Sequence, residues 1–487
     1  MERYDAVVVG SGPNGLAAGI VLARAGLRVL IREGADIPGG GARTESLTLP
    51  GFAHDVCSAV HPLALGSPFF RRLPLAKHGL EWIHQPAAVA HPLDDGSAVL
   101  LERSTAAMRH QLGPDAPAWR SLMDPFVGRW EQLFADILGP LRWPRHPLLL
   151  ARFGVAALPA ATWLTRTLFR QERARALFGG MSAHATLPLR RTPSAAFGLV
   201  LGVAGHAVGW PIPRGGSASI SRALIGYFRS LGGELETGAP VVSLDDLPPS
   251  RAVVLDLTAR QILGLGATDL SPLYRAQLAR FKYGLGTFKV DWALDAPIPW
   301  RAPEASHAAT VHVGGTFEEI DRARQQESAG QPAERPFVIV VQPSLFDPSR
   351  APSEKHVGWA YCHVPNASSF DMTDRIEAQI ERFAPGFCDR ILARHVMRPV
   401  DLEHHNPNLV GGDLNGGEAT LMQLFFRPAL RPIPYATSNP RLFVCSASTP
   451  PGGGVHGMAG YWAARLVLRR RFAATKFRTK ARLGEPV

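Results

Sequence analysis

Three glycines, Gly10, Gly12 and Gly15, fall on a GxGxxG spacing in VVVGSGPNGL, and no other feature of the 487-residue chain narrows its fold as far. The apolar run YDAVVV ahead of them reads as a buried strand. Behind them, LAAGIVLARAG carries apolar residues at helical spacing and stops at Gly26, and LRVLIRE is a second strand closing on Glu33. In a strand-turn-helix unit the first glycine permits a tight turn, the second lets backbone approach a pyrophosphate, and the third lets the helix pack on the strand. An acid at the second strand's end accepts hydrogen bonds from a ribose diol. The set predicts a Rossmann-like α/β domain that holds a dinucleotide through Gly10, Gly12, Pro13, Asn14, Gly15, Glu33 and Gly34.

A second glycine loop follows the acid. Gly39, Gly40 and Gly41, then Ala42, Arg43 and Thr44, place backbone where it meets a pyrophosphate or a flavin. Residues 209–244 read as a glycine-rich start, an amphipathic helix from about Ser217 to Leu231, and strands through Val241 and Val242. Residues 441–468 give another strand, a glycine run and a terminal helix starting near Met458, whose N-terminal amides stabilise negative charge on a reduced ring. No second complete GxGxxG unit is present, so nothing calls for a separate nicotinamide domain.

These stretches, spanning residues 5–468, resemble the amine oxidase and phytoene desaturase superfamily of flavoproteins, and within it the phytoene desaturase-related branch. FAPGFCDRILARHVMRPVDLE and NPNLVGGDLNGG carry the likeness further. The resemblance implies FAD as cofactor, Val241 and Val242 meeting the adenine side through backbone, and Gly454, His456, Gly457 and Met458 at the ring. Where amine oxidases usually carry an acid after the strand ending in FVC, this chain has Ser446 and Ala447.

The length suits two or three domains. The nucleotide segments are 1–75, 206–265 and 435–470, so the FAD-binding domain is discontinuous. Residues 76–205 read as a helical insertion facing substrate or membrane, 266–434 as an α+β substrate domain with an antiparallel sheet, and 471–487 as a basic tail. In the second insertion GTFKVDWAL, ATVHVGG, PFVIVVQ, HVGWAYCHV and LMQLFFRP read as strands. Trp119, Leu122, Phe126, Trp130, Leu133 and Ile137 share one helical face, either packed core or the wall of an apolar tunnel.

The formal charge of +11 is concentrated in residues 141–175 and 469–487. The first stretch interleaves arginine with Trp143, Phe153, Trp163 and leucines, which suits a segment lying in a bilayer interface, while its arginines and prolines argue against a spanning helix. This alternation is no nucleic-acid pattern. Cys57, Cys362, Cys388 and Cys445 form no CxxC pair and no metal spacing, and no secretory signal opens the chain, so the expected place is the cytoplasm, at a membrane surface.

The sequence shows no hydrolytic triad order, no HExxH and no paired carboxylates, which fits a reaction whose chemistry belongs to the cofactor. Candidate side chains near the ring are His54, Asp55, His61 and His456, with His456 and His61 as catalytic candidates, and Lys282 and Lys289 beside them. The expected activity is FAD-dependent oxidation or reduction of an apolar isoprenoid, carotenoid or other lipid-like substrate. The alternatives are a flavin amine or amino-acid oxidase, and a flavin-containing lipid-binding or scaffold protein that turns nothing over.

Overall fold

A computed structural model describes residues 4–266 and 269–473, so all but the first three residues of the expected basic tail lie outside the described residues. Five parallel strands form one sheet in the order Leu442–Val444, Ser250–Leu255, Tyr4–Val9, Val29–Arg32 and Glu234–Glu236. Parallel strands covered on both faces read as continuous apolar runs, as YDAVVV does. The helix Pro13–Arg24 leaves the glycine turn with proline at its first position and crosses the terminal helix Met458–Arg471. The crossing is tight at Gly460, where a Cβ would lie 1.8 Å from the Asn14 carbonyl oxygen. Segments from both ends and the middle of the chain thus build a single nucleotide-binding sheet.

A second sheet has seven strands in the order Ile391–Met397, Gly286–Leu294, His356–Val364, Val338–Val341, Ala308–Val313, Ala87–Pro92 and Ala98–Glu102. One face packs Ala360, Cys362, Val338, Val340 and Val311 against Ile376, Ile380 and Phe383 of the helix Thr373–Phe383. The other presents Thr310, Ile339, Val341, Trp359 and Tyr361 to a cleft shared with the nucleotide domain.

Several expectations are corrected here. The sheet is mixed, not antiparallel, because Ala308–Val313 pairs in parallel with Ala87–Pro92. That pairing also draws residues 87–102 out of the expected helical insertion and into the sheet of the expected 266–434 domain. LMQLFFRP holds a short helix, Leu421–Phe425, with Leu421, Met422 and Phe425 exposed, since a short apolar run does not distinguish strand from helix by periodicity. Val241 and Val242 are in no strand. Pro240 precedes them without an N–H to give a ladder, and the Val242 N–H donates to the Asp246 carboxylate instead.

The single aromatic-faced helix is two, Ala116–Val127 and Trp130–Ile137, broken at Gly128 and Arg129. Trp119, Leu122, Phe126 and Leu133 are buried in the main core, and none of the six stripe residues lines the cleft. The apolar stretch after residue 194 is the helix Ser194–Ala207, which packs against the helices Pro147–Ala157 and Ala161–Leu168 and gives Leu201 to the cleft.

Candidate functional site

The site grows from the first glycine turn. Gly10 has φ of +97°, a left-handed backbone that a side chain would strain. A Cβ at Gly15 would lie 2.1 Å from the Gly10 carbonyl oxygen, so the turn closes only on glycine. The second loop meets the first directly, since a Cβ at Gly40 would lie 2.9 Å from the Gly12 Cα. Arg43 pins this loop by donating from Nε to the Gly40 carbonyl at 2.8 Å. Glu33 accepts hydrogen bonds from the Ser11 N–H at 2.8 Å, the Ser11 hydroxyl at 2.6 Å and the Ala35 N–H at 3.0 Å, which hold its carboxylate at the cleft mouth.

A cleft of about 690 Å³ runs from this turn to the seven-stranded sheet. Gly10, Gly12, Pro13, Asn14, Glu33, Gly34, Gly40, Gly41, Ala42, Arg43, Val241 and Gly454 line it, as does His61. Gly15 and Thr44 stand behind the wall. Gly15 donates its N–H to Asp256, and Thr44 donates its hydroxyl to Asp55 at 2.7 Å. Val242 is 72 % exposed and away from the cleft.

Of the four residues expected at the ring, Gly454 lines the cleft, with Val455 beside it, while His456, Gly457 and Met458 do not. His456 is buried and its Nδ1 accepts from the Met458 N–H at 3.0 Å, so the imidazole caps the terminal helix and occupies the amide expected to face the ring. Gly457 packs on Phe70, which a Cβ there would meet at 2.4 Å. Burial pushes the His456 imidazole down to about 4, and it is neutral.

His61 remains beside the cleft, 2.8 Å from the Ser217 hydroxyl, and burial lowers it to about 4 as well. His54 contacts the Thr48 hydroxyl at 2.7 Å and faces Asp291, and Asp55 is locked in a buried ion pair with Arg350 at 2.9 Å. Neither lines the cleft. Lys289 is buried and paired with Asp291, and Lys282 is on the exterior.

Three functional elements escaped the sequence reading. Asp256 ends the strand Ser250–Leu255 beneath the glycine turn, where its Oδ2 accepts from the Gly15 N–H at 2.8 Å. Burial, with Glu33 adding repulsion, pushes it up to about 7. It is an acid closing an apolar strand, the same signal that marked Glu33. Asn408 bridges the Thr258 N–H and the Asp256 carbonyl, fastening residues 404–409 along the cleft. Asp413 collects the N–H groups of Gly284, Asn415 and Gly417, each at 2.8 Å, and so shapes the loop that brings Asn415 and Gly416 to Ser446 and Ala447.

The residues present fit FAD. The two glycine loops leave a cradle that any side chain would fill, Glu33 stands at the ribose position, and the Asn14 Oδ1 and Thr258 Oγ1 atoms are buried at the cleft wall without partners. Beyond the pyrophosphate position the cleft continues to the seven-stranded sheet, whose cleft-facing residues would stand beside a bound ring. Among the described residues no group of His, Cys, Asp or Glu is arranged to hold a metal ion.

The family of NAD(P)-binding Rossmann-like domains matches residues 8–72. The chain is 26 % identical to the pyridine nucleotide-disulfide oxidoreductase domain-containing protein 2 of Rattus norvegicus, over 96 % of this chain and 94 % of that protein. It is 28 % identical to a phytoene dehydrogenase of Streptomyces griseus, over 74 % of this chain and 73 % of that one. An oxidoreductase from Methanosarcina mazei shares its fold, with a TM-score of 0.64 and 17 % identity over 95 % of this chain and 99 % of that one.

Proposed function

We propose that this chain, which belongs to the phytoene desaturase-related flavin oxidoreductases, transfers hydride between FAD and an apolar isoprenoid or other lipid-like substrate in a desaturation, saturation or isomerisation. FAD, when bound, supplies a hydride acceptor or donor at its ring N5. The observation that carries the reading is the division of the cleft wall. Its arginine and acid lining residues, Arg32, Glu33, Arg43 and Asp256, cluster around the glycine turn. At the sheet end the described lining is Leu201, Trp210, Ile339, Val341, Trp359 and Tyr361, with Thr310 and a histidine, His184, that burial lowers to about 3. Such a wall excludes water and orients an apolar chain, and it holds no charged acid or base.

The amine or amino-acid oxidase alternative has the T-shaped Trp359–Tyr361 pair, centroids 5.3 Å apart, as a face for a cation, but no carboxylate at that end among the described lining residues. Anaerobic mixing of the flavin-loaded protein with polyenes and with amines separates the readings. Bleaching of the flavin band at about 450 nm by polyenes alone supports the proposal. Bleaching by amines with peroxide on reoxidation replaces it, and a flavin unaffected by either panel or by reductants supports the scaffold alternative.

The proposal extends to the surface. Around the helices Pro147–Ala157 and Ala161–Leu168, Trp143 is 89 % exposed, Leu148 86 % and Val155 79 %, with Arg145, Arg152 and Arg166 close by in sequence. No single described helix is long and apolar enough to cross a membrane, and these two are bent by 91°. Apolar tips among arginines suit the interface of an anionic bilayer, with a lipid-like substrate reaching the cleft past the helix Ser194–Ala207.

A further inference from the structure

Among the strand residues of the seven-stranded sheet that line the cleft, two carry a buried polar atom without a partner: Trp359 at its indole Nε1 and Thr310 at its hydroxyl. Trp359 is 4 % exposed and Thr310 2 %. Strand register sets them in one row, Thr310 beside Val341 and Val341 beside Trp359. In the neighbouring row stands Tyr361, whose hydroxyl burial pushes up to about 12 and so keeps protonated. Buried polar atoms are almost always hydrogen-bonded, and an indole N–H donates only, so its missing partner is an acceptor. The nearby Lys289 ammonium is itself a donor, 5.7 Å from the Trp359 ring centroid and engaged by Asp291.

We infer that the substrate is an apolar molecule bearing a carbonyl oxygen, which Trp359 Nε1 and Thr310 Oγ1 bind across the Val341 row, and that it is not a bare hydrocarbon. The inference rests on the reading of this cleft as an apolar substrate site. An apolar chain slides in an apolar wall because every methylene resembles the next. One anchored oxygen removes that freedom: the carbon presented to the ring is then set by its distance along the chain from the carbonyl. Specificity of this kind is strong because the wrong substrate leaves the donors unpaired, whereas an extra methylene alone discriminates weakly.

The test uses the flavin-loaded protein and two probes with the same branched chain, the ester methyl farnesoate and the hydrocarbon farnesene, with binding read by calorimetry. Wild type should bind the ester about tenfold or more tightly over the hydrocarbon. Trp359→Phe and Thr310→Val should each shrink that preference, read as the ratio of the two affinities in the same variant, because each removes a donor and keeps an apolar side chain. Equal affinity of the two probes in wild type, or a preference that survives both substitutions, overturns the inference and leaves the apolar-substrate reading standing. Loss of flavin or a shifted flavin spectrum in Trp359→Phe, with the ester preference intact, also overturns it by placing the donors on cofactor carbonyls. Failure of both probes to bind the flavin-loaded wild type removes the inference and the apolar-substrate reading together.

Discussion

Replacing Gly460 by alanine tests whether the tight crossing of the helices Pro13–Arg24 and Met458–Arg471 holds the cofactor end together. The new Cβ would lie 1.8 Å from the Asn14 carbonyl oxygen, 2.8 Å from its carbon and 2.9 Å from the Ala18 nitrogen. All three are backbone atoms, so no side-chain rotation relieves the overlap and the helices must part by about 1 Å or more. Overpacking of this kind costs about 1–3 kcal/mol, more where backbone has to move. Alanine's better helix propensity returns about 1 kcal/mol. Gly154, in the helix Pro147–Ala157, supplies the control, because a Cβ there meets nothing within 4 Å. Gly154→Ala should therefore stabilise by about 1 kcal/mol, so the same substitution carries opposite signs at the two sites. Urea unfolding of each variant, with and without FAD, reads the stability difference. FAD retained through gel filtration reads the cleft, which begins at the Gly12–Asn14 turn that the crossing presses upon. A Gly460→Ala protein as stable as wild type that keeps its full flavin would refute the reasoning.

Four further outcomes are expected. Glu33→Ala, which removes the acceptor of three hydrogen bonds beside the ribose position, should weaken FAD binding about tenfold or more, and an unchanged Kd would count against the assigned site. Asp256, pushed up to about 7, holds a proton in the folded protein that the unfolded chain has already lost above about pH 4. Its contribution is therefore full below pH 4 and lost as pH rises to 7, so wild type should decline relative to Asp256→Asn by up to about 4 kcal/mol across that window. A constant difference between the two proteins defeats the assignment. His61 and His456, both held near 4, should contribute no inflection to flavin reduction between pH 5 and 8, and an inflection there that His61→Gln removes would make His61 an acid or base. The protein should sediment with anionic liposomes at low salt and release as ionic strength rises, because surface attraction is screened over about 8 Å at physiological salt. Absence of binding even at low salt ends the membrane proposal.

The cofactor grip was legible because its constraints are local. Gly10, Gly12, Gly15 and Glu33 lie within one strand-turn-helix-strand unit, and Gly15 answers to the Gly10 carbonyl of the same turn, although Gly10 and Gly12 close on Asp256 of the neighbouring strand. Asp256 carries the same local signal, since it closes the apolar run AVVL, but no glycine turn follows it in sequence to mark it as part of the nucleotide site. His456 misled because adjacency to a glycine run suggests adjacency to a ligand. A hydrogen bond two residues long turned its ring to the Met458 amide instead, a local device that position alone does not reveal. The substrate wall is a different case. Period-two alternation does put Trp359 and Tyr361 on one face, but it is silent on which face looks inward and on what stands beside them. Thr310 and Trp359 become neighbours only through Val341, by register between strands far apart in sequence. The sheet that carries them is completed by a parallel pairing of residues 308–311 with 87–90, from well beyond the middle of the chain back to its first quarter. A fold of this kind therefore advertises its cofactor in a short contiguous stretch and keeps its substrate preference in long-range register, so a change of substrate needs only a few cleft-facing strand residues to differ while the glycine turn stays as it is.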